Sequence, residues 1–334
     1  MMRGSTKKDV SLIQAVVPFA SRAILAIAFT VFIHSACAQS ADQYHRTLTV
    51  STADPVVLDV DIPKGELQIL YSHEGEVSVT ASAQPSSKTT MNRNVATEIA
   101  LDQDGNRIKL RHVSNSSSDN TVAGILYRID VPYRTVVTAN VHDGKLAISG
   151  VMGPVHALTG RGDIKISYVS KELVAQAGAG NLDLQVIGAR VEAKTENGNI
   201  SCTRAAQGIS AETQEGDITL MVVGPATATV KTGTGRINIS GARGSLLAST
   251  DAGELHVKAV PHGDWQLRSA SGTVRVELPR GAKFEVDAAS SRSEIAVERD
   301  DIPRSDDVHH LHKVVNGGGT GIQLSTENGR IVIQ

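Results

Sequence analysis

Thr195-Glu196-Asn197-Gly198-Asn199-Ile200-Ser201-Cys202 decides the fold of this chain, because its pattern occurs nine times between Val141 and the C-terminus. Each copy writes a glycine, one polar residue, and then two apolar residues separated by a single position. The glycines are Gly144, Gly162, Gly180, Gly198, Gly216, Gly235, Gly253, Gly272 and Gly329. Through Gly272 they lie 18, 18, 18, 18, 19, 18 and 19 residues apart. A repeat this short cannot bury a hydrophobic face alone, so neighbouring copies must stack.

Aligned on the glycine, the copies form columns. Two residues later stand Leu146, Ile164, Leu182, Ile200, Ile218, Ile237, Leu255, Val274 and Ile331. Four residues later stand Ile148, Ile166, Leu184, Cys202, Leu220, Ile239, Val257, Val276 and Ile333. This period of two is the mark of a strand with one face buried. A second strand precedes the glycine. Three residues before it come Thr159, Thr195, Thr213, Thr232, Thr250, Ser269 and Thr326, with Ala177 as the exception. Five before it come mostly alanines, such as Ala157, Ala175, Ala193 and Ala211. The small residues let the two strands approach, and the threonine column suggests hydroxyl and methyl pairing from rung to rung. The glycine suits a corner that needs a positive φ.

Strands recurring every 18 to 19 residues leave no room for helical crossovers. The fold class expected is therefore all-β: a single-chain parallel β-solenoid (β-helix) with 18–19-residue rungs. Stacked at ~4.8 Å per rung, eight regular rungs would make a rod on the order of 40 Å long. Residues 39–135 hold strand-like runs without the period and read as irregular N-terminal rungs that cap an open edge. Residues 136–298 read as the regular solenoid, 299–320 as a charged, His-bearing and Gly-rich loop, and 321–334 as a closing rung.

Residues 1–38 read as a signal peptide. Arg3, Lys7, Lys8 and Arg22 precede an apolar run from Ala23 to Ile33, and Ala36-Cys37-Ala38 matches a small-x-small cleavage site. An uncleaved anchor beginning near Val10 would have to contain Arg22. Lipidation at Cys37 is a third reading, although His34 stands where that motif has an aliphatic residue. The address expected is exported: periplasm, outer envelope or extracellular. With Cys37 removed, Cys202 would be the one remaining cysteine, so no internal disulfide would form.

A net charge of -2 gives no electrostatic case for nucleic acid. Aromatic residues make up only 3% of the chain, which argues against stacking platforms for bases or sugar rings.

The repeated Thr-x-x-Gly-polar-Ile-x-Ile rungs, the strand Tyr127–Pro132 and the closing Gly-Gly-Gly…Ile-x-Leu-x-Thr-x-Asn-Gly-x-Ile rung resemble a known bacterial family. It is the candidate-adhesin family, domain of unknown function 4097, and the resemblance covers roughly residues 47–334. It implies an exported β-solenoid domain and brings no catalytic residues to carry over.

Each residue that invites a functional claim has a structural explanation. Arg161-Gly162-Asp163 spells a receptor-binding tripeptide, yet its glycine is an ordinary rung glycine. His309, His310 and His312 form the one histidine cluster, in a polar stretch near Asp306 and Asp307. Cys202 falls in the inward column, where a free thiol acts as a small hydrophobe. Asp217 and the pair Asp251 and Glu254 would be the carboxylates to suspect in a hydrolase. The column after the glycines is mixed in sign, however, and offers no paired acids. No catalytic, cofactor-binding or metal residue is assigned. The function expected is a non-enzymatic, adhesin-like binding or structural module at the cell envelope. Its partner would be an envelope protein or a glycan, with a membrane reached only through the N-terminus. The alternatives are a carbohydrate-active enzyme on a β-helix scaffold and a passive envelope scaffold.

Overall fold

Each repeat gives one strand to each of two 14-stranded sheets. The structure is a computed structural model that describes residues 43–72, 74–83, 95–113, 124–222, 225, 227–303 and 306–334. Residues 1–38, read above as a signal peptide and including Cys37, lie outside the described residues.

The rung around Gly198 shows the construction. Its upstream strand, Val191–Asn197, pairs in parallel with Leu173–Ala179 and Ile209–Glu215. Its downstream strand, Ile200–Ala205, pairs in parallel with Leu182–Ile187 and Ile218–Val222 in the other sheet. The alanine and threonine columns therefore build one sheet and the aliphatic columns the other. The register matches residues 18 or 19 apart, as the glycine spacing requires. Inward residues of both sheets form one apolar cluster. Ile200, Ile218 and Leu220 are buried in it while Thr219 faces solvent.

The turn glycine is fixed by its neighbour below. Gly144, Gly162, Gly180, Gly198, Gly216, Gly235, Gly253 and Gly272 have φ between 137° and 159°. A Cβ at any of the last seven would overlap the carbonyl oxygen of the preceding turn glycine. Gly329 has the same overlap, with Gly272, but not the positive φ. The threonines use those carbonyls. Thr195 Oγ1 donates to Gly180 O at 3.0 Å, Thr213 to Gly198 at 3.1 Å, Thr232 to Gly216 at 3.0 Å and Ser269 to Gly253 at 3.0 Å. The hydroxyls bond to backbone, where the sequence suggested pairing with one another. A buried hydroxyl needs an acceptor, and the turn carbonyl is the nearest one. Beside them runs a second ladder. Asn181, Asn199, Asp217 and Arg236 each donate a backbone N–H to the side-chain oxygen of Asp163, Asn181, Asn199 or Asp217 one rung below, at 2.7 to 2.9 Å.

The ends depart from the simple array. Val57–Lys64 and Glu66–Tyr71 form a full rung, stacked in parallel on Val136–Asp143 and Leu146–Ser149 with Gly65 as its turn. Antiparallel strands then extend the sheets: Glu76–Ala83 and Gln43–Thr49 on one, Ile99–Asp104 on the other. At the C-terminal end, Thr320–Thr326 inserts between Trp265–Ser271 and Phe284–Ser290. The closing rung is thus the penultimate layer.

The stretch 299–320, expected as a loop, contains the strand His310–Val315, paired antiparallel with Phe284–Ser290. Alternation explains it: Leu311 and Val315 are buried while His310 and His312 face out. Arg299 also leaves solvent. Its guanidinium pairs with Asp301 at 2.6 Å, bonds the Leu278 carbonyl at 2.6 Å and lies 5.9 Å from the Phe284 ring centroid.

Candidate functional site

Residues singled out by sequence are taken up by the frame. Arg161 pairs with Asp143 at 3.5 Å, Gly162 holds its turn, and Asp163 serves the side-chain ladder. Cys202 is buried, and desolvation pushes its thiol up to about 12, which leaves no reactive thiolate near neutral pH. His310 faces Asp287 at 3.1 Å and His312 faces Glu285 at 3.5 Å, as cross-strand pairs. Asp217 Oδ1 accepts the Arg236 N–H, and Glu254 pairs with Arg236 at 3.4 Å. Among the described residues, no group of three His, Cys, Asp or Glu side chains could hold a metal ion.

The other edge, where the chain passes from the aliphatic strand to the next rung, has a different character. At its start is one backbone position repeated in successive rungs: Gly150, Tyr168, Val186 and Arg204, then Gly241 two rungs on. Their φ values are 78°, 56°, 55°, 62° and 72°. Pairing skips this position, since Ser167 matches Gln185 and Val169 matches Ile187. The position is unpaired on both strands and the register is kept, so its left-handed backbone turns the chain round the corner. A left-handed conformation costs an L-residue ~1–2 kcal/mol, and glycine avoids that cost. Three rungs nonetheless carry Tyr, Val and Arg there. Strain held at a non-glycine residue points to a use for its side chain.

Tyr168 is 62% exposed. Tyr71 of the rung before Gly150 is 54% exposed, and its Cβ sits directly against Gly150. The Tyr71 ring meets Tyr133 edge-on, with centroids 6.3 Å apart and planes at 70°. Met152, whose N–H donates to the Tyr133 carbonyl, is 48% exposed in the next corner. Three of the five tyrosines of the chain thus share one corner, whereas Trp265, Tyr127 and Phe284 are buried. Low aromatic content gave no sign of this concentration. The available signal was Gly150 and Gly241 at a fixed offset from the turn glycines, with Tyr168 in the same column.

Charge separates the two edges as well. Along the turn edge stand Asp143, Asp163, Glu196, Glu215, Asp217, Asp251, Glu254 and Glu327, against Lys145, Arg161, Arg236 and Arg330. Along the tyrosine edge stand Arg134, Lys171, Arg190, Arg204, Arg243, Arg280 and Lys283, against Glu172 and Asp264 within the array and Asp54, Glu74, Glu298, Asp300 and Asp301 at its two ends. All seven of those cations are exposed, and none makes an ion pair among the described residues. Cations outnumber acids on that edge in the middle rungs, from Arg134 to Arg243, where Glu172 is the acid among the described residues.

One further cleft, of about 290 Å³, opens on the aliphatic-strand sheet between Arg236, Glu254, His256, Arg275 and Glu277. Its acids are engaged: Glu277 accepts from His256 and Lys258, each at 2.8 Å. Hydrogen bonds from Lys258 and then His256 hold the Glu277 carboxyl below the ordinary range.

The family model for the toastrack domain, DUF4097, matches residues 43–334. The chain belongs to that family. It is similar to a candidate adhesin of known structure from Bacteroides fragilis NCTC 9343, at 12% identity over 88% of this chain and 97% of that one, with a TM-score of 0.38. It is similar also to a candidate lipid-binding protein from Parabacteroides distasonis ATCC 8503, at 15% identity over 88% and 97%, with a TM-score of 0.44. A candidate adhesin from the same strain gives 11% identity over 88% and 97%, with a TM-score of 0.35. No curated protein matches the chain.

Proposed function

We propose that this toastrack-family protein is an exported, non-enzymatic, adhesin-like β-solenoid that acts as a binding module at the cell envelope. Its contact surface is the tyrosine edge. The observation that carries this reading is Tyr168: a large exposed ring held at φ 56°, in a column where two other rungs use glycine. A structural role would favour glycine there, whereas a binding role accounts for the ring. The unpaired cations of the same edge support it, because cations retained only for solubility need not gather along one side. Against an enzyme, Asp217 is committed to a backbone bond and Glu254 to an ion pair, and Cys202 is buried and protonated.

The test is co-sedimentation of the purified protein with isolated cell envelopes. The wild type should pellet with them, and Tyr168→Ala should remain in the supernatant while keeping its thermal transition. Equal pelleting of both would remove the tyrosine edge from the reading. Mass spectrometry of the exported protein checks the address: an N-terminus at Gln39 is expected, and retention of Met1 would contradict it.

A further inference from the structure

We propose that Asn328 is a site of spontaneous covalent modification. Its side-chain nitrogen is expelled as Gly329 closes a succinimide ring, which leaves aspartate or isoaspartate in the last glycine turn of the stack.

The chain contains three Asn-Gly steps: Asn197-Gly198, Asn316-Gly317 and Asn328-Gly329. Glycine matters because no side chain shields its nitrogen from the neighbouring carboxamide. That nitrogen attacks Cγ of the asparagine. The N–Cγ bond forms, the Cγ–Nδ2 bond breaks, and the glycine N–H proton leaves with Nδ2 as ammonia. Solvent water then opens the ring at either carbonyl, giving aspartate or isoaspartate. The reaction needs a glycine N–H free to lose its proton and a carboxamide free to turn.

The fold denies this to two of the three steps. The Gly198 N–H donates to the Glu215 carbonyl at 2.9 Å, as every turn glycine from Gly144 to Gly253 donates to the next rung. Asn197 itself ends a strand that is paired on both sides. Asn316 Nδ2 donates to the Ala282 carbonyl at 2.9 Å, and that bond must break before the carboxamide can turn. Asn328 is held by its backbone N–H alone, which donates to the Ala270 carbonyl at 2.9 Å. Its side chain is exposed, and among the described residues neither that side chain nor the Gly329 N–H has a hydrogen-bond partner.

The layer above explains the difference. It turns through residues 291–294, four residues where the regular rungs use two. It meets Gly329 through the Ser290 hydroxyl, which donates to the Gly329 carbonyl at 3.1 Å, and it offers no carbonyl to the N–H. Gly329 also lacks the positive φ of the other turn glycines. Isoaspartate would add a main-chain carbon to a turn that already rests on the Gly272 carbonyl.

The test holds the purified protein in mildly alkaline buffer, folded in one arm and unfolded in guanidinium chloride in the other. Mass spectrometry of its peptides follows each asparagine, and an isoaspartyl methyltransferase with a labelled methyl donor reads isoaspartate. In the folded protein Asn328 should convert about fivefold or more faster than Asn197 or Asn316, since each of those must first give up a hydrogen bond. In the unfolded protein the three rates should converge. Asn328→Gln, whose longer side chain must close a six-membered ring, should abolish methyl labelling of the folded protein and keep its thermal transition. The proposal is overturned if Asn197 or Asn316 keeps pace with Asn328 in the folded protein, if Asn328 stays intact there, or if Asn328→Gln is labelled as strongly as the wild type.

Discussion

Replacing Tyr168 by glycine and, separately, by alanine isolates the cost of its backbone conformation. Both changes remove the ring, so its lost contacts cancel in the comparison. At φ 56°, alanine retains the ~1–2 kcal/mol penalty of the left-handed region, which glycine escapes. Glycine gives back ~0.5–1 kcal/mol of chain entropy. Tyr168→Gly should therefore be more stable than Tyr168→Ala by about 0.5–1 kcal/mol. The neighbour Ser167 has an ordinary strand conformation, so there the order reverses and Ser167→Ala should exceed Ser167→Gly by about 0.5–1 kcal/mol. The assay is equilibrium urea unfolding of the four variants, with the slope checked in each case, because stacked repeats can lose two-state behaviour. Alanine equal to or better than glycine at both positions would refute the strain at Tyr168, and with it the argument that its ring is kept for use.

Two further outcomes test the frame. Ile218→Asp should unfold or severely destabilise the protein, because the side chain is fully buried and a lone carboxylate would have no partner there. Thr219→Asp, on the exposed face, should shift the thermal midpoint little; comparable shifts for the two would show that the register is wrong. Glu277 predicts a pH effect. Its carboxyl is held below the unfolded value of about 4.3, so its contribution is fully present above that pH and is lost as pH falls through the folded value. Acid titration of Glu277→Gln should accordingly show a shallower loss of stability below about pH 4.3 than the wild type, and identical curves would remove the Lys258 and His256 bonds from the account.

The regular rungs were legible because their signal is redundant. Glycine, polar and aliphatic positions repeat together, and the burial of Cys202 followed from its column alone. The ends were not. Gly65 turns a full rung, but the strands Arg107–His112 and Ile125–Val131 intervene in sequence before Gly144, which hides the period. His310–Val315 looked like loop because charges and glycines surround it. Arg299 opens that stretch, and nothing local reveals that Phe284 and the Leu278 carbonyl will cover it. The tyrosine edge escaped for another reason. Its column is defined by a backbone angle, not by residue type, so Gly150, Tyr168, Val186 and Arg204 share no chemistry that an alignment by side chain would register.

The turn glycines also govern how such a chain can change over generations. Each one, from Gly162 to Gly272, rests on the carbonyl of the turn beneath, so material can be gained or lost there only as whole rungs. The opposite edge is permissive. Ile200 matches Ile218 at 18 residues, but Ile209 matches Ala228 at 19, so the odd residue enters between Leu220 and Ala228. The second 19-residue rung takes its extra residue between Lys258 and Trp265, on the same side. Within the regular rungs, both extra residues therefore fall on the side where the tyrosines and unpaired cations stand. One edge conserves the length of the stack, and the other is free to diversify what it meets.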